Sequence, residues 1–124
     1  MSLTDKQRLG EAAEALALLH LEKKGFTLCD RNVCSKWGEL DLVVQRGELV
    51  CFVEVRARTR DSYGGAAASV TWAKQRRVVR AAREYVFRRK LNSHRLRFDV
   101  VTVQGRLGQE QVSHIEGAFD AGAA

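Results

Sequence analysis

The 124-residue sequence contains no proline, no low-complexity linker and no long apolar run. A second domain is therefore disfavoured, and the chain is long enough to bury one core. No stretch approaches the ~20 apolar residues of a membrane-spanning helix, and the N-terminus lacks the apolar core of a signal peptide. We expect a cytoplasmic protein with no membrane partner, one domain over residues 4–117 and a disordered Ala/Gly tail over 118–124.

The sequence also lacks the motifs of several functional classes. Cys29, Cys34 and Cys51 form no CxxC pair and the three histidines are scattered, so a zinc site is disfavoured. Reduced cysteines that serve in packing are the simpler interpretation. A P-loop, a GxGxxG motif and a Ser-His-Asp arrangement are all missing, which argues against phosphate-loop enzymes and serine hydrolases.

Positive charge is abundant. Lysine and arginine number 21 against 15 acids, a net charge of +6, which favours a polyanionic partner. Many of these cations fall on one predicted helix that begins at Ser69 or Thr71 and ends near Leu91. The alternatives for this helix are a solvated face or a surface for nucleic-acid phosphates, and the near-absence of balancing acids favours phosphates. The cations concerned are Lys74, Arg76, Arg77, Arg80 and Arg83.

The segment 37–58 predicts two β-strands joined by a tight turn. Apolar residues alternate along both halves, and the polar stretch 45–48 contains Gly47, which can adopt a positive φ. Two acids interrupt the apolar runs, Asp41 in the first strand and Glu54 in the second.

Strand register decides whether the two acids meet. A two-residue loop at Arg46-Gly47, or a four-residue loop over 45–48, places Asp41 opposite Phe52 with Glu54 as its diagonal neighbour, roughly 7–8 Å away. A three-residue loop sends the acids to opposite faces. Two adjacent carboxylates need a metal, a proton or an arginine. The alternative is a Glu54–Arg56 pair on an exposed face, with Asp41 solvated.

The remaining elements predict an α/β fold. A helix from Thr4, with Gln7 completing a capping box, runs to Gly25 and carries Glu14 on its apolar face. Glu14 then points towards the sheet, or reaches water at its rim. Strands are predicted over 26–33, 96–103 and 111–115, and the polar loop 59–65 is either a lid or a surface loop. The order predicts a mixed central sheet flanked by helices.

Five motifs together resemble the YraN-like family of uncharacterised bacterial proteins. These are predicted endonucleases of the PD-(D/E)xK, or restriction-endonuclease-like, superfamily, similar in fold to archaeal Holliday-junction resolvases. The likeness covers about residues 6–103. The motifs are LGxxxE at 9–14, GELDLV at 38–43, FVEVRxR at 52–58, KQRR at 74–77 and RFDVV at 97–101.

The resemblance implies an αβββαβ core and a metal-dependent endodeoxyribonuclease acting on duplex or branched DNA, or on RNA. Asp41 and Glu54 would hold Mg²⁺ or Mn²⁺ with the carbonyl of Val55, and Glu14 would be a further ligand. Arg56 would complete the catalytic set, while Arg58 and the cationic helix would contact the nucleic acid. Resolvase-like relatives also imply a homodimer, because a four-way junction needs two symmetric cuts.

Two residues depart from the pattern. Arg56 stands where the superfamily motif has lysine, and arginine cannot accept a proton as a base. Lys74 could supply an ammonium group instead. Ala13 stands where the family has glycine before the helical glutamate. Two further hypotheses therefore stay open: a nuclease-fold module that binds nucleic acid without cleaving it, and a protein-interaction domain whose positive face is incidental.

Overall fold

A computed structural model describes residues 4–58, 70–106 and 108–123. Within them, a five-stranded sheet in the order β1-β2-β3-β4-β5 packs between two α-helices. Neighbouring strands are antiparallel except β3 and β4, which are parallel, so the predicted mixed α/β sheet is confirmed. The elements are α1 (Asp5–Lys23), β1 (Thr27–Ser35), β2 (Gly38–Arg46), β3 (Leu49–Arg58), α2 (Trp72–Arg89), β4 (Arg95–Gln104), β5 (Gln111–Phe119) and a 3-10 helix (Ala121–Ala123).

Both helices begin at the polar caps that their sequences provide. Thr4 Oγ1 accepts a hydrogen bond from the Gln7 main-chain N–H at 3.1 Å, and Gln7 Oε1 accepts one from the Thr4 N–H at 2.8 Å. This is the predicted capping box, and Gly25 follows the helix with a φ of +92°. Of the two predicted starts of α2, Thr71 is the cap, and its side chain accepts from the Lys74 N–H at 3.2 Å.

The sheet is buried on both faces at its centre. On one face, Val50 and Phe52 of β3 pack with the apolar side of α2. On the other face, Cys51 and Val53 pack with α1. These four side chains of β3 are each at most 1% exposed. Burial on both faces explains why β3 begins as a continuous apolar run, which ends at Glu54. No helix in the described segments is both long and apolar enough to cross a membrane.

The register of the β2–β3 hairpin differs from the predicted one. Arg46 pairs with Leu49, so the two-residue loop is Gly47-Glu48, one position later than the predicted Arg46-Gly47. Phe52 pairs with Val43, and the prediction that Asp41 lies opposite Phe52 is wrong. The reason is local, because Gly47 adopts a φ of +61° at the first loop position.

The register shift moves every pair by two positions and therefore preserves which side chains share a face. The last recorded pair is Leu42 with Val53. The ladder ends there, so Asp41 and Glu54 lie just beyond the last paired residues of the two strands.

The last strand is longer than predicted. β5 extends to Phe119, past the predicted 111–115 and into the stretch expected to be a disordered tail. The Phe119 ring stacks on Phe98 of β4 with centroids 5.3 Å apart, which gives this end of the strand an apolar contact that the sequence pattern does not show.

A buried ionic network ties β5 to β4 and to the end of α1. Asp99 is fully buried, and its carboxylate accepts from Arg97, from His114 Nε2 at 2.7 Å and from the Gly117 N–H at 3.0 Å. Burial pushes its pKa up, but these hydrogen bonds outweigh burial, and the pKa of Asp99 is lowered. His114 Nδ1 lies 3.0 Å from Lys24 Nζ, so the network reaches the residue that caps α1.

Candidate active site

The two acids of the hairpin lie where β2 and β3 separate. The ladder between these strands ends at Leu42 and Val53. Beyond it, the Val55 main-chain N–H donates to Asp41 Oδ2 at 2.9 Å, so a carboxylate takes the place of a partner-strand carbonyl. In a β-strand the N–H and C=O of one residue point the same way. The carbonyl of Val55 therefore also faces the side on which Asp41 lies.

Glu54 is the more deeply buried of the pair, with 1% of its surface exposed. Burial, followed by the charge of Asp41, raises the pKa of Glu54 to about 7, although Lys74, Arg56 and the Asp41 N–H lower it. Burial also raises the pKa of Asp41, against the opposing effects of the Val55 N–H, Lys74 and Arg56. Without a further cation, the two carboxylates are thus disfavoured as a doubly charged pair.

One atom of the pair lacks a hydrogen bond. Glu54 Oε1 is buried and accepts no hydrogen bond from the described residues, and it forms an ion pair with Lys74 Nζ at 3.5 Å. Arg56 Nε is likewise buried without a partner among the described residues. Buried polar atoms are normally satisfied, so an unsatisfied carboxylate oxygen indicates room for a ligand.

The ion-pair partner of Glu54 differs from the predicted alternative. Its ion pair is with Lys74 of α2, whereas Arg56 acts on both carboxylates by its charge without forming an ion pair in the described part of the chain. The alternative of a Glu54–Arg56 pair on an exposed face is therefore wrong. Lys74, which the sequence suggested as a source of an ammonium group, lies beside Glu54.

A cavity of about 310 Å³ separates Asp41 from α1. Glu14 lies in its wall together with Asp41, so the helical glutamate faces the site. Partial burial, then the charges of Asp41 and Glu39, raise the pKa of Glu14. Glu54 does not line this cavity and lies on the Lys74 side. The lining residues are Leu9, Gly10, Ala13, Glu14, Asp41, Val55, Arg56 and Ala57.

Glu14 is held by a residue that sequence reasoning missed. The Asn32 amide, oriented with its nitrogen towards the acids, donates to Glu14 Oε1 at 2.8 Å and to Glu39 Oε1 at 2.9 Å. Asn32 has a φ of 49°, a left-handed conformation that asparagine tolerates better than most residues. The only sequence signal was the polar crowding at the end of the first strand.

Among the described residues, no three His, Cys, Asp or Glu side chains are close enough together to hold a metal ion. The structure thus brings Asp41 and Glu54 together. Glu14 lies in the α1 wall of the cavity, where it accepts a hydrogen bond from Asn32. Two carboxylates and a carbonyl are hard oxygen donors, and Mg²⁺ commonly binds through one or two carboxylates plus water and substrate phosphate. The unsatisfied Oε1 of Glu54 fits such an ion.

The cationic face of α2 divides into two parts. Lys74 belongs to the acid pair, whereas Arg77 and Arg83 are exposed. Arg76 stacks on Trp72 at 4.7 Å, and Arg80 stacks on Trp37 at 5.1 Å. The aromatic partners were not predicted, because cation–π contacts join residues that are distant in sequence or on an exposed helix face.

Two predictions fall on parts of the chain that are not described. The main chain of Arg58 ends β3, but its side chain lies outside the described residues. The loop 59–65, predicted as a lid or a surface loop, also lies outside them.

Comparison with known proteins gives one family. Residues 13–103 match Uncharacterised protein family UPF0102. A UPF0102 protein of Myxococcus xanthus (strain DK1622) is 48% identical over 118 residues, which cover 95% of this chain and 94% of the relative. The UPF0102 protein of Anaeromyxobacter sp. (strain Fw109-5) is 41% identical, with 94% and 87% covered. That of Legionella pneumophila (strain Philadelphia 1) is 34% identical, with 94% and 98% covered.

Proposed function

The chain belongs to the UPF0102 family, and we propose that it is a nucleic-acid-binding protein that hydrolyses phosphodiester bonds with Mg²⁺ or Mn²⁺. The proposal rests on the buried Glu54 carboxylate. One of its oxygens has no hydrogen bond among the described residues, and the group lies beside Asp41 where β2 and β3 separate. The ion pair with Lys74 at 3.5 Å leaves this oxygen without a hydrogen bond, whereas a bound metal ion would satisfy it.

Asp41, Glu54 and the Val55 carbonyl would hold the ion, and Glu14 lies across the cavity on the other side of Asp41. The ion, when bound, supplies a water of lowered pKa and neutralises charge on the phosphate. The hydrogen bond from the Val55 N–H fixes one Asp41 oxygen, and the Asp41 side chain lines the cavity.

Lys74 would take the role of the motif lysine. Its ammonium group is 3.5 Å from Glu54 Oε1 and 28% of its side chain is exposed, so the side chain is anchored by the acid and still accessible to a phosphate oxygen. Arginine cannot act as a proton-accepting base, so Arg56 would contribute positive charge only. The remaining α2 cations would bind phosphates along duplex or branched DNA, or RNA.

Two features of the site favour a second candidate function, nucleic-acid binding without cleavage. Arg56 replaces the motif lysine, and the three acids Glu14, Asp41 and Glu54 do not form one metal cluster among the described residues. A nuclease-fold module that binds nucleic acid without cleaving it would have these properties.

The test is cleavage of an end-labelled four-way junction and a linear duplex with Mg²⁺ or Mn²⁺. Wild type, Asp41→Ala and Arg56→Lys are compared with Glu48→Ala, which removes an exposed acid at the far end of the same hairpin. The proposal predicts cleavage by wild type and Glu48→Ala, and none by Asp41→Ala. Binding without cleavage by wild type or Arg56→Lys would select the second candidate.

A further inference from the structure

A second cleft lies apart from the acid pair, beside the C-terminal half of α2. Its volume is about 420 Å³, and its walls come from the β1–β2 turn and from the outward face of the helix. Along the helix axis from Lys74, the cleft extends from Arg80, about 9 Å away, to Phe87, about 20 Å away. The lining residues are Lys36, Trp37, Arg80, Arg83, Glu84 and Phe87.

Phe87 is the most exposed large apolar side chain described, with 77% of its surface accessible. The helix has apolar burial elsewhere, since the neighbouring Tyr85 and Val86 are each only 7% exposed in the core. Phe87 therefore does nothing for the packing of the fold. An exposed aromatic ring in the wall of a cleft is typical of a binding surface.

Trp37 forms a rigid wall of the cleft. Its ring packs against the core cluster under α2. Lys36 Nζ and Arg80 Cζ each lie 5.1 Å from its centroid, so two cations hold the indole in place.

The charge of the cleft is positive. Lys36, Arg80 and Arg83 contribute three cations, and Glu84 is the one acid in the lining. Glu84 Oε1 is paired with Arg88 at 2.8 Å, which reduces the repulsion of an anion, while Oε2 has no hydrogen bond among the described residues. The cleft thus complements a ligand that carries negative charge next to a flat apolar face.

We propose that this cleft binds an unpaired nucleotide, with its base on the Phe87 ring and its phosphate at Arg80 and Arg83. Single-stranded nucleic acid is recognised by this combination of aromatic faces and cations, because every base has a face available for stacking. A base inside a duplex is already stacked and cannot reach the ring. The inference rests on the proposed function and narrows its substrate to nucleic acid that contains a single-stranded segment.

The test measures binding without metal, in EDTA at low salt, so that cleavage cannot contribute. The probes are a labelled oligothymidine, a blunt duplex, and the same duplex with a central unpaired loop. The variants are Phe87→Ala, Phe87→Trp, which keeps an aromatic face, and Leu19→Ala, which removes an exposed apolar residue of α1 as a control.

Phe87→Ala should weaken binding of the oligothymidine and the looped duplex by about 5- to 100-fold, the range for one stacked base. Phe87→Trp should restore it, and the blunt duplex should be unaffected. An equal loss on all three probes, or no loss on any, would overturn the inference. Wild type that binds the blunt duplex as tightly as the looped one would overturn it and leave the proposed function standing. If wild type binds none of the three probes, both the inference and the proposed function are wrong.

A second measurement does not depend on Phe87. The chain has two tryptophans, so Trp72→Phe leaves Trp37 as the sole indole reporter. Oligothymidine should change the Trp37 emission at the concentration at which it binds. Emission that stays constant at saturation would place the bound strand elsewhere and refute the assignment to this cleft.

Discussion

Lys74 Nζ lies 3.5 Å from Oε1 of Glu54, and this contact joins the first turn of α2 to a buried acid of β3. The superfamily pattern supplies its lysine from the strand, two positions after the acid. Here the strand position is Arg56, and the ammonium comes from a different element. The contact therefore predicts that cleavage depends on the Lys74 ammonium group.

Lys74→Met should lower cleavage by about 100-fold, the usual cost of losing one group that stabilises transition-state charge. Steady-state cleavage of the junction measures this. Lys23→Met, which removes an exposed lysine at the end of α1, is the matched control and should cleave normally. Full activity in Lys74→Met would show that Arg56 suffices.

Glu54→Gln should stabilise the metal-free protein at neutral pH. The pKa of Glu54 is raised from 4.5 to about 7 in the folded state, so folding favours its protonated form. Relative to Glu54→Gln, wild type should lose up to about 3 kcal/mol of unfolding free energy as pH rises from 4.5 to 7. Urea unfolding in EDTA at pH 4.5 and 8 measures the difference, and parallel pH profiles for the two proteins would contradict it.

Mn²⁺ should raise the melting temperature of wild type but not of Asp41→Asn, because only wild type offers two carboxylates to the ion. The affinity should fall as pH drops below about 7, since a bound ion must displace the proton held by Glu54. Calorimetric titration at pH 6 and 8 tests both points. Glu48→Gln should bind as wild type does, and equal binding by Asp41→Asn would exclude the assigned site.

His114→Leu should destabilise the protein by about 3 kcal/mol, because it removes one partner of the fully buried Asp99 carboxylate. Denaturant unfolding measures the loss. Affinity for nucleic acid should be unchanged under folding conditions, because neither Asp99 nor His114 lines the cavity beside Asp41 or the second cleft. His94→Leu, at the turn before β4, serves as a histidine control. A loss no larger than that of the control would show that Arg97 and Gly117 suffice for Asp99.

The sequence was most informative where a local rule applied. The capping box at Thr4 and Gln7 satisfies main-chain donors within one turn, so it can be read directly from four residues. Alternation in the hairpin likewise predicted that Asp41 and Glu54 meet. The turn position was off by one, because either of two adjacent loops could contain Gly47 at a position that accepts positive φ.

Contacts between distant elements could not be predicted in the same way. Asn32 reaches Glu14 and Glu39 only because a bulge between Leu28 and Asp30 shifts the register of β1. Trp37 and Phe87 share a cleft because α2 crosses the sheet above the β1–β2 turn. Such meetings depend on how elements pack, and no spacing in the sequence encodes them.

The hydrogen bonds of Asp99 with His114 and Gly117 also affect the order in which the chain folds during synthesis. A ribosome adds residues at about 5–20 per second, so His114 is made roughly one to three seconds after Asp99. Until then the Asp99 carboxylate has Arg97 as a partner but lacks the hydrogen bonds from His114 and Gly117, and it is better left in water. The nascent chain should therefore hold β4 away from the core until β5 has been synthesised.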